Sequence, residues 1–127
     1  MNKQEMVREF HEVFDHLTQD KPNANIDISI QSLRYDLIYE ELRELNDAML
    51  DRDIVEVADA IADLLYVVYG TAVSYGINIE PVFEEVHKSN MDKIWPDGEL
   101  HYYPNGKVKK PEGWEPPNIK AILKEQE

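Results

Sequence analysis

This sequence predicts an all-α fold, a four- to five-helix bundle with a short C-terminal hairpin or irregular tail. Two observations carry that expectation. Apolar residues recur at spacings of three and four through most of the first 95 residues, and turn and capping residues fall mainly between those runs. From Asp97 the texture changes, with five of the seven prolines and three of the five glycines in the last 32 residues. At 127 residues the chain is the size of one domain. It is read as a single unit, 1–127, with a helical core over about 5–95 and a tail over about 96–127. No internal repeat or low-complexity tract suggests a solenoid or a linker.

The elements follow in order. Met6, Phe10, Val13, Phe14 and Leu17 mark a first amphipathic helix over 5–17, broken by Asp20-Lys21-Pro22-Asn23. Ile30, Leu33, Leu37, Ile38, Leu42, Leu45 and Met49 mark a second, from Ser29 or Ser32 to about Leu50. Asp51-Arg52-Asp53 gives a tight connection with N-capping potential, and Ile54–Tyr75 then runs as a long third helix that Gly76 and Asn78 suit to end. Pro81 suits the first turn of a fourth helix, carrying Phe83, Val86, His87 and Met91 and ending before Pro96. Tyr102-Tyr103-Pro104-Asn105-Gly106-Lys107-Val108 reads as a hairpin around Asn-Gly.

Composition bounds the function. The 26 acidic residues outnumber the 13 basic ones, for a formal net charge of -13, and the one basic cluster is Lys107, Lys109 and Lys110. Polynucleotide binding, which rests on clustered cations, is therefore not expected. A phosphate ligand would need metal cations to bring it to so acidic a chain. There are no cysteines, so thiolate sites and disulfides are excluded. The opening residues lack the apolar stretch of a secretion signal, and a cytoplasmic address is expected. The most apolar run, Leu64–Val73, is about half the roughly 20 residues needed to cross a bilayer, so no membrane segment is expected.

Chemistry enters through the third helix. Between Ile54 and Tyr75 only Glu56, Asp59 and Asp63 are charged, and at about 100° per residue they share one narrow stripe. Apolar residues cover nearly all the rest, as in a buried helix. On the second helix Glu41 and Glu44 project within the apolar arc, Glu40 sits at its border, and Asp36, Arg43 and Asp47 lie on the polar side. Antiparallel packing would set these carboxylates against one another with no Lys or Arg on either inner stripe. Such a cluster requires protonation or bound cations, and hard oxygen donors without Cys or His point to Mg²⁺ or Mn²⁺, with Ca²⁺ allowed on ligand type alone. Helical bundles commonly build metal sites in this way. The plainer reading is that the carboxylates form a solvated edge.

Glu40-Glu41-Leu42-Arg43-Glu44 followed by Glu56-Val57-Ala58-Asp59 resembles the Glu-x-x-Glu, Glu-x-x-Asp signature of MazG-like pyrophosphohydrolases. Ala58 to Gly70 and Glu85 to Lys93 are similar to the branch related to phosphoribosyl-ATP pyrophosphohydrolase, as is the tail from Asp97-Gly98 to Pro116-Pro117. The resemblance covers about residues 28–120. Alignment on Asp63-Leu64-Leu65-Tyr66 puts Ala60 where a family Glu is expected, whereas alignment on Glu56 and Asp59 leaves Asp63 extra. Asp59 serves in either register, with Glu56 or Asp63 completing the set.

The resemblance implies a Mg²⁺-dependent hydrolase (Mn²⁺ the alternative) that splits a nucleoside triphosphate or a relative into pyrophosphate and a nucleoside monophosphate. Glu41, Glu44, Asp59 and Asp63 are then the metal ligands and Glu40 or Glu56 the base. Asn90 and Lys93, one turn apart, become the phosphate contacts, with Arg34 adding a second positive charge. A homodimer or homotetramer is implied, with a substrate pocket across subunits. His87 reads better as a packing residue than as a ligand, and Tyr66, Tyr69 and Trp95 as core residues that could also stack on a base. The alternative is a non-catalytic divalent-metal or nucleotide-binding helical module, which the Ala60 departure favours. A purely structural bundle would leave the inner carboxylates without a reason.

Overall fold

The computed structural model describes all 127 residues and contains five helices: α1 (Lys3–Val13), α2 (Ile28–Asp51), α3 (Ile54–Tyr75), α4 (Ile79–Met91) and α5 (Ile119–Glu125). Two compact units emerge, one of Met1–Ile79 with Gln126–Glu127, the other of Glu80–Glu125. Helix α4 therefore groups with the tail. No single helix is long and apolar enough to cross a membrane.

In the first unit, Asn2 caps α1 by accepting from the Glu5 amide at 2.8 Å. Periodicity alone carried this helix to Leu17, but it stops at Val13. Asp15 turns left-handed at φ 58° and the His16 amide returns to the His11 carbonyl. The freed Leu17 carbonyl then meets His11 Nδ1 at 3.0 Å and accepts from Ser74 Oγ at 2.9 Å, which ties the segment to α3. Helix α2 starts just before the expected serines because Asp27 is its cap, accepting from the Ser29 amide. Arg52, at φ 55°, ends α2, and Asp53 Oδ1 caps α3 through the Val55 and Glu56 amides. A two-residue connection leaves α3 no course but back along α2. Gly76 closes α3 at φ 71°, where a Cβ would meet the Lys21 carbonyl.

The pairing of α2 with α3 is antiparallel: Arg34 near the start of α2 donates to the Val67 carbonyl (2.9 Å) and Thr71 Oγ1 (3.3 Å) near the end of α3. Gly70 makes room for that guanidinium, since a Cβ there would lie 2.4 Å from Arg34 Nη2 and 2.8 Å from His11 Nε2. The buried apolar residues are few and mostly small: Val7, Ala48, Ala60, Ala72 and Val73, accompanied by buried His11, Arg34 and Ser74. Burial holds the His11 imidazole below its ordinary pKa, and the Arg34 charge adds to the effect.

Within the single chain α3 is not covered all round. Ile54, Val55, Ile61, Leu65 and Val68 are all exposed, Val55 to 71%. On α2, Tyr35, Tyr39, Leu42 and Met49 are exposed as well. Val55 apart, each set follows a helical stripe, and in an antiparallel pair the two stripes fall on the same side of the hairpin.

In the second unit the tail packs by named hydrogen bonds. Trp114 Nε1 donates to the Ser89 carbonyl at 2.7 Å, Ser89 Oγ to the Glu115 carbonyl, and Trp95 Nε1 to the Lys109 carbonyl at 3.0 Å. The hairpin expected at Asn-Gly is reduced to one antiparallel bridge, Tyr102 to Val108, around Gly106 at φ 87°. His87, expected to pack, is exposed.

Candidate metal centre

The α2–α3 register brings the inner carboxylates together. Glu40, Glu41 and Glu44 each offer an oxygen, and the three lie within 4.8 Å of one another. From α3, Asp63 is near enough for its charge to act on Glu41, and Asp59 and Glu44 act in turn on Asp63. The pairings of 34 with 67 and 71, and of 41 with 63, belong to one antiparallel register. Asp63 is thus the α3 carboxylate that meets the α2 group, and Asp59, one turn before it on α3, adds its charge to Asp63. Glu56, one turn nearer the α3 N-terminus, is exposed and acts on neither Glu41 nor Asp63.

No cation neutralises this cluster. The ion pairs of the chain are Arg8 with Glu12, Arg8 with Asp20 and His101 with Asp97. Glu41 is half-buried, and its Oε2 is buried with no hydrogen-bond partner. Burial pushes the Glu41 carboxyl up to about 7, helped by a hydrogen bond with Glu44 and by the charges of Glu44, Asp63 and Glu40. Burial likewise raises Asp63, with Asp59 and Glu44 adding repulsion. A carboxyl that shares a hydrogen bond with another carboxylate must hold a proton or yield it to a cation. The orphaned oxygen, the hard donor set and the absence of a basic partner all suit a divalent cation. Beside the cluster lies a recess of about 260 Å³ lined by Tyr39, Glu40, Arg43, Glu44 and Asp47. Arg43, placed on the polar side by periodicity, therefore borders the site.

The remaining expected residues separate. Arg34, expected as a phosphate contact, is only 4% exposed and is spent on Val67 and Thr71 inside the hairpin. The signal for this was Gly70, an isolated glycine in an otherwise unbroken helix. Asn90 and Lys93 lie in the second unit, where Lys93 Nζ donates to Asn90 Oδ1 at 2.8 Å. Tyr66 packs edge-on against Phe10 at 5.7 Å, and Trp95 stacks on His101 at 4.1 Å, so both serve packing.

Residues 7–90 match the family model of phosphoribosyl-ATP pyrophosphohydrolase. That span takes in every carboxylate of the cluster and ends at Asn90. An uncharacterised protein of Acanthamoeba polyphaga mimivirus is 36% identical over 98 residues, which is 77% of this chain and 35% of the viral protein. This chain thus spans about a third of that relative's length. Among solved structures, a proposed NTP pyrophosphohydrolase from Exiguobacterium sp. 255-15 is 27% identical, with a TM-score of 0.49 over 99% of this chain and 94% of the other.

The raised Glu41 carboxyl sets a pH dependence. Its proton is bound below about 7 and must leave before a cation can coordinate. Mn²⁺ affinity, measured by calorimetry between about pH 5 and 8, is expected to fall toward tenfold per unit below 7 and to level above it. Affinity that is flat across this range would contradict the assignment.

Proposed function

This chain belongs to the phosphoribosyl-ATP pyrophosphohydrolase family, a MazG-like group, and from that premise we propose that it hydrolyses a nucleoside triphosphate, or a relative, in a divalent-metal-dependent reaction. The products are pyrophosphate and a nucleoside monophosphate. The observation that carries the reading is the buried, unpartnered Glu41 oxygen within a group of five carboxylates that no basic residue neutralises. Glu41, Glu44, Asp59 and Asp63 would hold the cation, with Mg²⁺ preferred by the all-oxygen donor set and Mn²⁺ as substitute. Once bound, it supplies charge neutralisation for the phosphates and acidifies water.

The chain's own residues do the rest. Water attacks a phosphorus, the bond to the bridging oxygen breaks, and the water proton passes to a carboxylate. Glu40, exposed at the rim of the cluster, is the better placed acceptor, and Glu56 on the α3 stripe is the other. In the second unit Lys93, oriented by Asn90, offers a point charge suited to a phosphate group. The alternative of a non-catalytic binding module drew on Ala60. Ala60 is 5% exposed, within the helix packing, and the cluster still draws a carboxylate from α3 through Asp63 although position 60 offers none.

The bare apolar side of the α2–α3 hairpin supports a homodimer or homotetramer, since Tyr35, Tyr39, Leu42, Ile61, Leu65 and Val68 lie exposed there together. Light scattering is expected to return a mass of two or four chains. A monomer at high micromolar concentration would remove this part of the proposal.

Glu44→Ala is expected to abolish metal-dependent pyrophosphate release from a panel of nucleoside triphosphates, while circular dichroism stays that of the wild type. Undiminished turnover in that variant would overturn the metal-site assignment.

A further inference from the structure

The acidic chain contains a cationic recess that the proposed reaction does not fully use. In the second unit, a cavity of about 580 Å³ is lined by Lys93, Tyr103, Gly106, Lys107, Val108 and Lys110, with no carboxylate among them. Its volume falls within the roughly 300–1,000 Å³ of small-ligand sites. We infer that this pocket is an anion site that takes the phosphate groups of a di- or triphosphate compound. The inference extends the phosphate role proposed for Lys93, and it rests on that reading only there.

The lysines are gathered without compensation. None of Lys93, Lys107, Lys109 and Lys110 belongs to an ion pair, in a chain with 26 acidic residues to draw on. Lys93 and Lys110 both place Nζ over the Trp114 ring, at 5.5 and 4.5 Å from its centroid, and Lys109 lies 5.3 Å from that of Tyr103. The indole is fixed by its hydrogen bond to the Ser89 carbonyl, so it is a platform for two of the ammonium groups that line the cavity. A ring quadrupole offsets only part of their mutual repulsion, and a multiply charged anion would offset the rest.

The chemistry selects phosphate. The pocket contains no arginine, whose planar fork suits a carboxylate, but three lysines, each a compact charge with three donors. Three cations call for more than one negative charge, hence a diphosphate or triphosphate. The Tyr103 hydroxyl adds a neutral donor. Of the lining residues none falls within 7–90, the span that matches the family model.

The test is calorimetric titration of the full chain with inorganic pyrophosphate and tripolyphosphate in chelator, where metal-dependent turnover plays no part. Wild type is expected to bind both, more weakly as salt rises. The double variant Lys107→Gln, Lys110→Gln is expected to bind about tenfold more weakly or worse. Lys110→Arg, which keeps the charge over Trp114, should bind close to wild type, and Glu44→Ala, whose lysines are intact, should bind as wild type does. This last variant separates the pocket from the metal centre. A nucleoside triphosphate as a third probe tells which source fills the pocket: it matches tripolyphosphate where phosphate alone is read and exceeds it where the nucleoside is seated too. No metal-free binding of either inorganic anion, or equal binding by the double glutamine variant, would overturn the inference. So would tighter binding of a single-stranded oligonucleotide than of tripolyphosphate.

Discussion

The register of α2 on α3 is the constraint on which the rest of the first unit depends. Two residues, Arg52 and Asp53, connect the helices, and each is conformationally committed, one to a left-handed C-cap and the other to an N-cap. With so short a connection a slip of one residue would turn the wrong faces inward. The actual register sets Arg34 beside Val67 and Thr71 at one end of the hairpin, and Glu41 and Glu44 beside Asp63 and Asp59 at the other. Small residues, Ala48, Ala60 and Gly70, are buried between them.

The hairpin therefore stores charge of both signs without pairing them. Arg34 lies two turns, about 10 Å, from Glu41 along α2. Its guanidinium is satisfied by a carbonyl and a hydroxyl, which meets its hydrogen-bonding needs and leaves the carboxylates alone. That division explains why Glu41 stays protonated up to about 7 with a cation in the same helix. A carboxylate group arranged in this way is poorly stable by itself and suited to an exchangeable cation. Helix α1 covers the Arg34 end, where Phe10 meets Tyr66 and His11 abuts Gly70, and the carboxylate end has no such cover.

Much of this was legible in the sequence, and the limits are physical. The bounds of α3 were readable to the residue because Asp53 and Gly76 are strong local signals, each acting within one turn. The end of α1 was not, because Leu17 keeps the helical spacing while a left-handed Asp15 has already broken the chain. The carboxylate stripe was visible as phase, but only the register could choose Asp63 over Glu56 as partner for Glu41. Periodicity reports which residues are apolar and not what covers them: an α3 apolar nearly all round signals a need for more cover than its neighbours give, but not that Ile61 and Leu65 are the residues left exposed in one chain. Arg34 misled for the opposite reason, since Gly70 marks a close approach in the sequence without naming Arg34 as the side chain that fills it.

The most direct test of the central claim is paramagnetic broadening of the amide spectrum by substoichiometric Mn²⁺. A cation held between α2 and α3 predicts loss of signal centred on residues 40–44 and 59–63, reversed by chelator. Broadening centred elsewhere, or spread evenly over the acidic surface, would contradict it.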